Sequence, residues 1–152
     1  MEIGEIEGPI VLDIPADPAS LFVVRSVVGK LSERIGYDPK QTNMLILAID
    51  EACTNVIRHA YKQSANKRII LTFLVNLDYF EITIRDFAPS SDPAQFLPRS
   101  LEDVRPGGLG IHFIKSAVDK MEFENPPDGG TILKLTKFRD KQEMAKIENP
   151  GY

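Results

Sequence analysis

Glu51, Asn55 and His59 stand at i, i+4 and i+8 within Leu45 to Tyr61, LILAIDEACTNVIRHAY. In an α-helix that spacing stacks three polar side chains along one line. An asparagine oxygen suits Mg²⁺ when phosphates and waters complete the octahedron, because this ion seldom takes a full protein cage. A glutamate one turn away can orient and deprotonate an incoming hydroxyl or water. The small residues Ala48 and Ala52 border the line. The same residues also fit an ordinary exposed helix face with a capping or buried, hydrogen-bonded His59, and the helix alone leaves both readings open.

Three further features sit where strands or loops meet other elements. Asp86 closes the strand-like run Tyr79 to Asp86 (YFEITIRD) just before an irregular stretch. A carboxylate there could accept a hydrogen bond from an adenine amino group, although aspartate at a strand end is also a common turn residue. Arg105-Pro106-Gly107-Gly108-Leu109-Gly110-Ile111 leads into a helix pattern. Glycines at a helix start let backbone N–H groups approach a phosphate with the helix dipole behind them, and Arg105 would add a charge-assisted contact. A plain flexible hinge is the other reading of that loop. Gly129-Gly130-Thr131 enters the last strand, where the threonine hydroxyl could reach the same pocket or simply follow a turn.

The elements that must position these groups are legible from periodicity. Pro9 to Pro15 reads as a short strand bounded by prolines, which suits a sheet edge. Asp17-Pro18 opens a helix as N-cap and first helical residue. Leu21, Val24, Val28, Leu31 and Ile35 carry its period and Gly36 ends it. Arg25 and Lys30 lie off that stripe, on a solvated face. A second helix runs from near Pro39 to about Lys62 and carries the Glu51 line. Arg68 to Leu77 and Tyr79 to Asp86 form a tight antiparallel hairpin, with Phe80, Ile82 and Ile84 on one face and Glu81, Thr83 and Arg85 on the other. Phe87 to Pro106 has no period, and loops of that length inside a compact domain are usually lids or disordered inserts. A helix with Ile111, Ile114, Ala117 and Val118, a strand at 121–124, a turn at 126–130 and a strand at 131–138 complete the chain. Residues 1–9 read as a lead-in, 10–138 as one domain and 139–152 as a charged tail. The order β-α-α-β-β-loop-α-β-β predicts an α/β (α+β) two-layer sandwich, a mixed and mostly antiparallel sheet covered on one face by helices.

Composition sets the outer bounds. The chain has 152 residues, 43% apolar and 26% charged, as in an ordinary globular domain with room for one core. A formal charge of −4 and a pI near 5.2 argue against a nucleic-acid face. Cys53 is the single cysteine, so no disulfide framework or cysteine metal cluster is expected, and its place on the helix reads as a small buried hydrophobe. No run reaches the roughly 18 apolar residues of a membrane span and no signal-peptide layout is visible. A cytoplasmic protein is the simplest expectation.

The ordered set E-A-x-x-N-x-x-x-H-A-Y, an aspartate at a strand end, a long lid, GGLGI and then GGT resembles the ATP-binding fold of gyrase-type ATPases, heat-shock chaperones and histidine kinases. Within it the chain is most similar to the bacterial anti-sigma factor serine/threonine kinases, over roughly residues 10–137. The resemblance implies Glu51 as catalytic base toward a serine or threonine on a partner, and Asn55 as the Mg²⁺ ligand. It implies Asp86 as the adenine contact, Gly108, Leu109 and Gly110 on the phosphate-binding lid, Arg105 toward the terminal phosphates, and Thr131 near the adenine end. His59 takes a structural place. It further implies ATP and Mg²⁺, a small antagonist protein as substrate, sequestration of a sigma factor, and a homodimer, with no direct nucleic-acid or membrane partner. One departure stands out. The family's D-x-G reads here Asp86-Phe87-Ala88. If that position needs positive φ or a close nucleotide approach, alanine costs about 1–2 kcal/mol, or roughly tenfold in affinity. A non-catalytic regulatory module with weak or no ATP binding is the alternative that Ala88 raises.

Overall fold

The computed structural model describes residues 5–60, 67–88 and 108–139, and at 59, 60, 108 and 109 the backbone alone. Strand β1, Ile10–Pro15, leads to a 3₁₀ turn at Pro18–Ser20, where Asp17 accepts from the Ala19 N–H at 2.9 Å. The sequence predicts α-helix from Pro18. Instead the Ser20 hydroxyl donates back to the Pro15 and Asp17 carbonyls, and helix α1, Leu21–Ile35, starts after it. Gly36 ends α1 with φ 94°, a left-handed cap that glycine adopts without Cβ strain. Helix α2, Pro39–Asn55, begins with a full capping box between Asp38 and Gln41 and a proline in its first turn.

The sheet has order β1-β2-β3-β5-β4, with β2 at Arg68–Val75, β3 at Tyr79–Asp86, β4 at Lys120–Glu124 and β5 at Thr131–Phe138. Every neighbouring pair is antiparallel, so the mixed character expected from sequence does not extend to any adjacent pair. Because β5 lies between β3 and β4, those two strands run parallel, and helix α3, Gly108–Ala117, is the crossover between them. The β2–β3 turn falls on Leu77-Asp78, one of the two pairs that the sequence leaves open, Asp78-Tyr79 being the other. The Asn76 N–H donates to the Tyr79 carbonyl, while the Asn76 side chain accepts from the Asp78 and Tyr79 N–H groups at 2.9 Å.

Alternation sends Ile69, Leu71, Phe73 and Val75 of β2 and Phe80, Ile82 and Ile84 of β3 to the helix-covered face, each no more than 3% exposed. They meet Val24, Val28, Leu45, Ile49 and Ile114 from the three helices in one core. Each such side chain contributes about 1.5–3 kcal/mol by burial, which holds α2 and α3 rigidly over the sheet. Cys53 is part of this core, and desolvation pushes its thiol up to about 12, so it serves as a packing residue. Arg25 of α1 pairs with Asp50 of α2, and Lys30 with Glu33, both at the surface.

Arg139, which the sequence assigns to the charged tail, is only 5% exposed. Its guanidinium donates to the Asn76 carbonyl at 2.9 Å and to the Ile35 carbonyl at the end of α1 at 3.2 Å, and its N–H bonds the Asp78 carbonyl. It therefore ties the hairpin turn, the last strand and α1 together. The positive charge also suits the negative end of the helix dipole. Arg139→Ala removes the donors to the Asn76 and Ile35 carbonyls while keeping the backbone bond to Asp78, and urea unfolding should show a loss of about 2–3 kcal/mol.

Candidate functional site

Asp86 is the last residue of β3 and follows Phe80, Ile82 and Ile84 onto the covered face, where it is 2% exposed. The Ala88 N–H donates to Asp86 Oδ1 at 3.0 Å, and the Thr131 N–H also donates to this carboxylate. Burial raises the Asp86 pKa above 3.8, while the two N–H donors and the neighbouring Arg85 guanidinium oppose that shift. Asp86 and Thr131 are register partners in the β3–β5 ladder. Their approach depends on Gly130, which has φ 80° and lies so close to the Asp86 carbonyl and Phe87 Cα that a Cβ would overlap both. Glycine is required there twice over, for conformation and for space.

The cleft beside Asp86 is mostly apolar, with Ala52, Ile84, Ile111 and Ile114 on its walls. Three polar residues share it: Asn55 from the end of α2, Asp86 from β3 and Thr131 from β5. Asn55 is 6% exposed and Thr131 4%. The space left between these side chains is about 10 Å³, close to that of one water, so they form a narrow apolar cleft with a few convergent polar groups and not a cavity that encloses a small molecule.

Glu51 lies outside that lining, one turn before Asn55 on α2, and is half-buried. A Cβ at Gly110 would run into the Glu51 carboxyl, so this glycine gives the carboxyl its place against the first turn of α3. Gly108 and Leu109 are the first two residues of that helix. The structure thus brings Glu51, Asn55, Asp86, Gly110 and Thr131 to one end of the sheet, around α2 and α3. Arg105 and residues 89–106 of the expected lid lie outside the described residues, as do residues 1–4, 61–66, 107 and 140–152.

The Glu51–Asn55–His59 line does not continue as expected. Regular α-helix ends at Asn55, and Val56–Ala60 forms a π-helical turn, so an i+4 spacing no longer fixes where His59 stands relative to Asn55. The side chain of His59 is outside the described residues. The helix predicted to reach Lys62 is thus α-helical only to Asn55. Periodicity carries no signal for a π turn.

Sequence reasoning also misses what holds Asp86. In the sequence Ala88 is only a departure from glycine, whereas in the fold its N–H donates to the carboxylate and its methyl is buried in the core. The Gly129-Gly130 pair before Thr131 is the available signal for the close approach of β5.

With this geometry in hand, the sequence matches the model of the family described as histidine kinase-like ATPase domain over residues 14–137, and the chain belongs to that family. Its curated relatives include the serine-protein kinase RsbW of Halalkalibacterium halodurans, 32% identical over 143 residues, which cover 89% of this chain and 86% of the relative. The fold is also that of the RsbU and RsbW domains of Rv1364c from Mycobacterium tuberculosis, with TM-score 0.60 and 16% identity over 87% of this chain and 33% of that longer one. The SiaB–SiaC complex from Pseudomonas aeruginosa matches with TM-score 0.60 and 12% identity, over 86% of this chain and 89% of the compared chain.

Two outcomes follow from the geometry. The folded-state pKa of Asp86 is raised, so the stability linked to this group is fully present below about 3.8 and is lost as pH rises through the folded value. Denaturant titrations from pH 4 to 7 should therefore show Asp86→Asn gaining steadily on the native chain as pH rises. Gly110→Ala meets only the flexible end of Glu51, so the variant should melt within a few degrees of the native chain while the carboxyl is displaced. An NMR comparison of the Glu51 side-chain resonances checks that displacement.

Proposed function

We propose that this chain is an ATP- and Mg²⁺-dependent protein serine/threonine kinase that works as an anti-sigma type switch. The observation that carries the reading is the placing of Glu51 and Asn55 one turn apart on α2, Asn55 in the cleft with Asp86 and Thr131 and Glu51 against the start of α3. The serine-protein kinase name of the 32% identical relative supports it.

The residues present fit the nucleotide and its metal. Asp86 offers a buried acceptor to the exocyclic amino group of adenine, and Thr131 a hydroxyl, on an apolar floor that suits one edge of the base. Asn55 offers the single neutral oxygen that Mg²⁺ accepts when phosphates and waters supply its other ligands. When bound, Mg²⁺ neutralises charge on the phosphates. Gly108, Leu109 and Gly110 present the N-terminal backbone of α3 to those phosphates, with Arg105 on the segment that precedes it. Glu51 accepts the proton of the acceptor hydroxyl as its oxygen attacks the terminal phosphorus and the bond to the bridging oxygen breaks.

The acceptor is a serine or threonine of a small antagonist protein, and the same domain sequesters a sigma factor. The SiaB–SiaC structure, which shares this fold, is that of a protein complex, and this suits a domain that acts by holding a partner. A cytoplasmic homodimer is the form in which we expect it to act. Among the described residues no helix is long and apolar enough to cross a membrane.

Incubation with labelled Mg-ATP and the antagonist should transfer label to a serine or threonine. Glu51→Ala should lower transfer by at least about 10²-fold, the lower range for a lost general base, with nucleotide affinity within about twofold of the native chain. Unchanged transfer in that variant would remove Glu51 from its role. A native chain that gives no heat with millimolar Mg-ATP would instead favour the non-catalytic binding module.

A further inference from the structure

Asp86 faces the cleft, but its neighbour Arg85 points to the opposite face of β3. There Arg85 Nη2 donates to both carboxylate oxygens of Asp128, at 3.1 and 3.0 Å. The same guanidinium lies over the Phe87 ring, 4.8 Å from its centroid. Asp128 belongs to the turn before β5, which the Gly129 N–H closes onto the Pro126 carbonyl at 3.0 Å. Two residues later Gly130 presses on the Asp86 carbonyl, and the Thr131 N–H donates to the Asp86 carboxylate. The end of β3 and the start of β5 are therefore tied from both faces of the sheet.

We propose that Arg85, Phe87 and Asp128 form a latch on the face of the sheet opposite the core that positions Asp86 and Thr131 for the base of the nucleotide. The proposal rests on the nucleotide reading of the cleft and adds three positioning residues that do not touch the ligand. The Asp128 carboxylate is 74% exposed, so the ion pair adds little to global stability. Its consequence is local. The two N–H groups that orient the Asp86 carboxylate come from the segments the latch joins, Ala88 following Phe87 and Thr131 following Asp128. A site whose polar groups are held in place before binding loses less freedom when the ligand arrives, and selectivity for a 6-amino over a 6-oxo purine depends on the direction in which the carboxylate is held.

Neutralising each partner separates this role from simple electrostatics. Removing the Arg85 charge makes the surroundings of Asp86 more negative, and removing the Asp128 charge makes them more positive. A through-space effect on the carboxylate would thus move nucleotide affinity in opposite directions in Arg85→Gln and Asp128→Asn. A latch moves it the same way in both.

The test uses the full chain. Hydrogen exchange by NMR on the nucleotide-free protein reads the Ala88 and Thr131 amides, and calorimetry reads Mg-ATP and Mg-GTP. Asp128→Asn and Arg85→Gln should each speed exchange at both amides and weaken Mg-ATP by about two- to fivefold, narrowing the ATP over GTP preference. The double variant should be no worse than Arg85→Gln alone, Arg85→Lys should recover part of the loss, and melting temperatures should stay close to that of the native chain. Unchanged amide exchange, additive losses, or opposite shifts in the two single variants would overturn the latch. Faster exchange at both amides in a chain that binds no nucleotide would uphold the tie between the strands while overturning the nucleotide reading and the positioning role with it.

Discussion

A carboxylate buried at the end of a strand is costly, and the site is arranged around meeting that cost at Asp86. Desolvation works against its charge, and two backbone N–H groups partly offset the penalty. Those donors come from different places, one from the segment leaving β3 and one from the first residue of β5. Both can arrive only if β5 begins within contact of the β3 backbone, which requires the missing side chain and the positive φ of Gly130. The chain keeps an unfavourable group in a mostly apolar cleft, and such groups commonly mark functional sites.

The other half of the site is built by α2. Its apolar stripe is locked into the core through Leu45, Ala48, Ile49 and Cys53, which leaves the adjoining face to carry Glu51 and Asn55. Because α2 packs on both the sheet and α3, one rigid element sets the distance from the Asn55 amide to the buried Asp86 carboxylate and from Glu51 to the start of α3. Gly110 admits the Glu51 carboxyl against α3. The π turn after Asn55 ends the regular ladder at the point where the cleft opens, a position in which such turns often occur.

Much of this is readable from residue order. The alternation in YFEITIRD puts Ile82 and Ile84 inside, and the same period carries Asp86 inward with them. Proline-bounded β1 does lie at a sheet edge, and Asp38, Pro39 and Gly36 mark helix boundaries through local backbone chemistry. Other features depend on contacts between distant segments. Nothing near Arg139 announces that it reaches Ile35 and Asn76, both far away in sequence, and its polar surroundings suggest a tail. The π turn rearranges backbone hydrogen bonds without altering the apolar pattern, so an ideal-helix stripe overextends to His59. Ala88 reads only as an exception to a motif until the fold shows its N–H serving Asp86.

Asn55, Asp86 and Thr131 are, on this account, parts of one nucleotide site. Titrating Mg-ATP into the isotopically labelled chain while following the Asn55 side-chain amide and the Ala88 and Thr131 backbone amides tests that claim most directly. Saturable shifts of all three with a single dissociation constant, lost from the whole set in Asp86→Asn, are the predicted result. Saturation with no movement of these groups, or full binding retained by Asp86→Asn, would contradict the account.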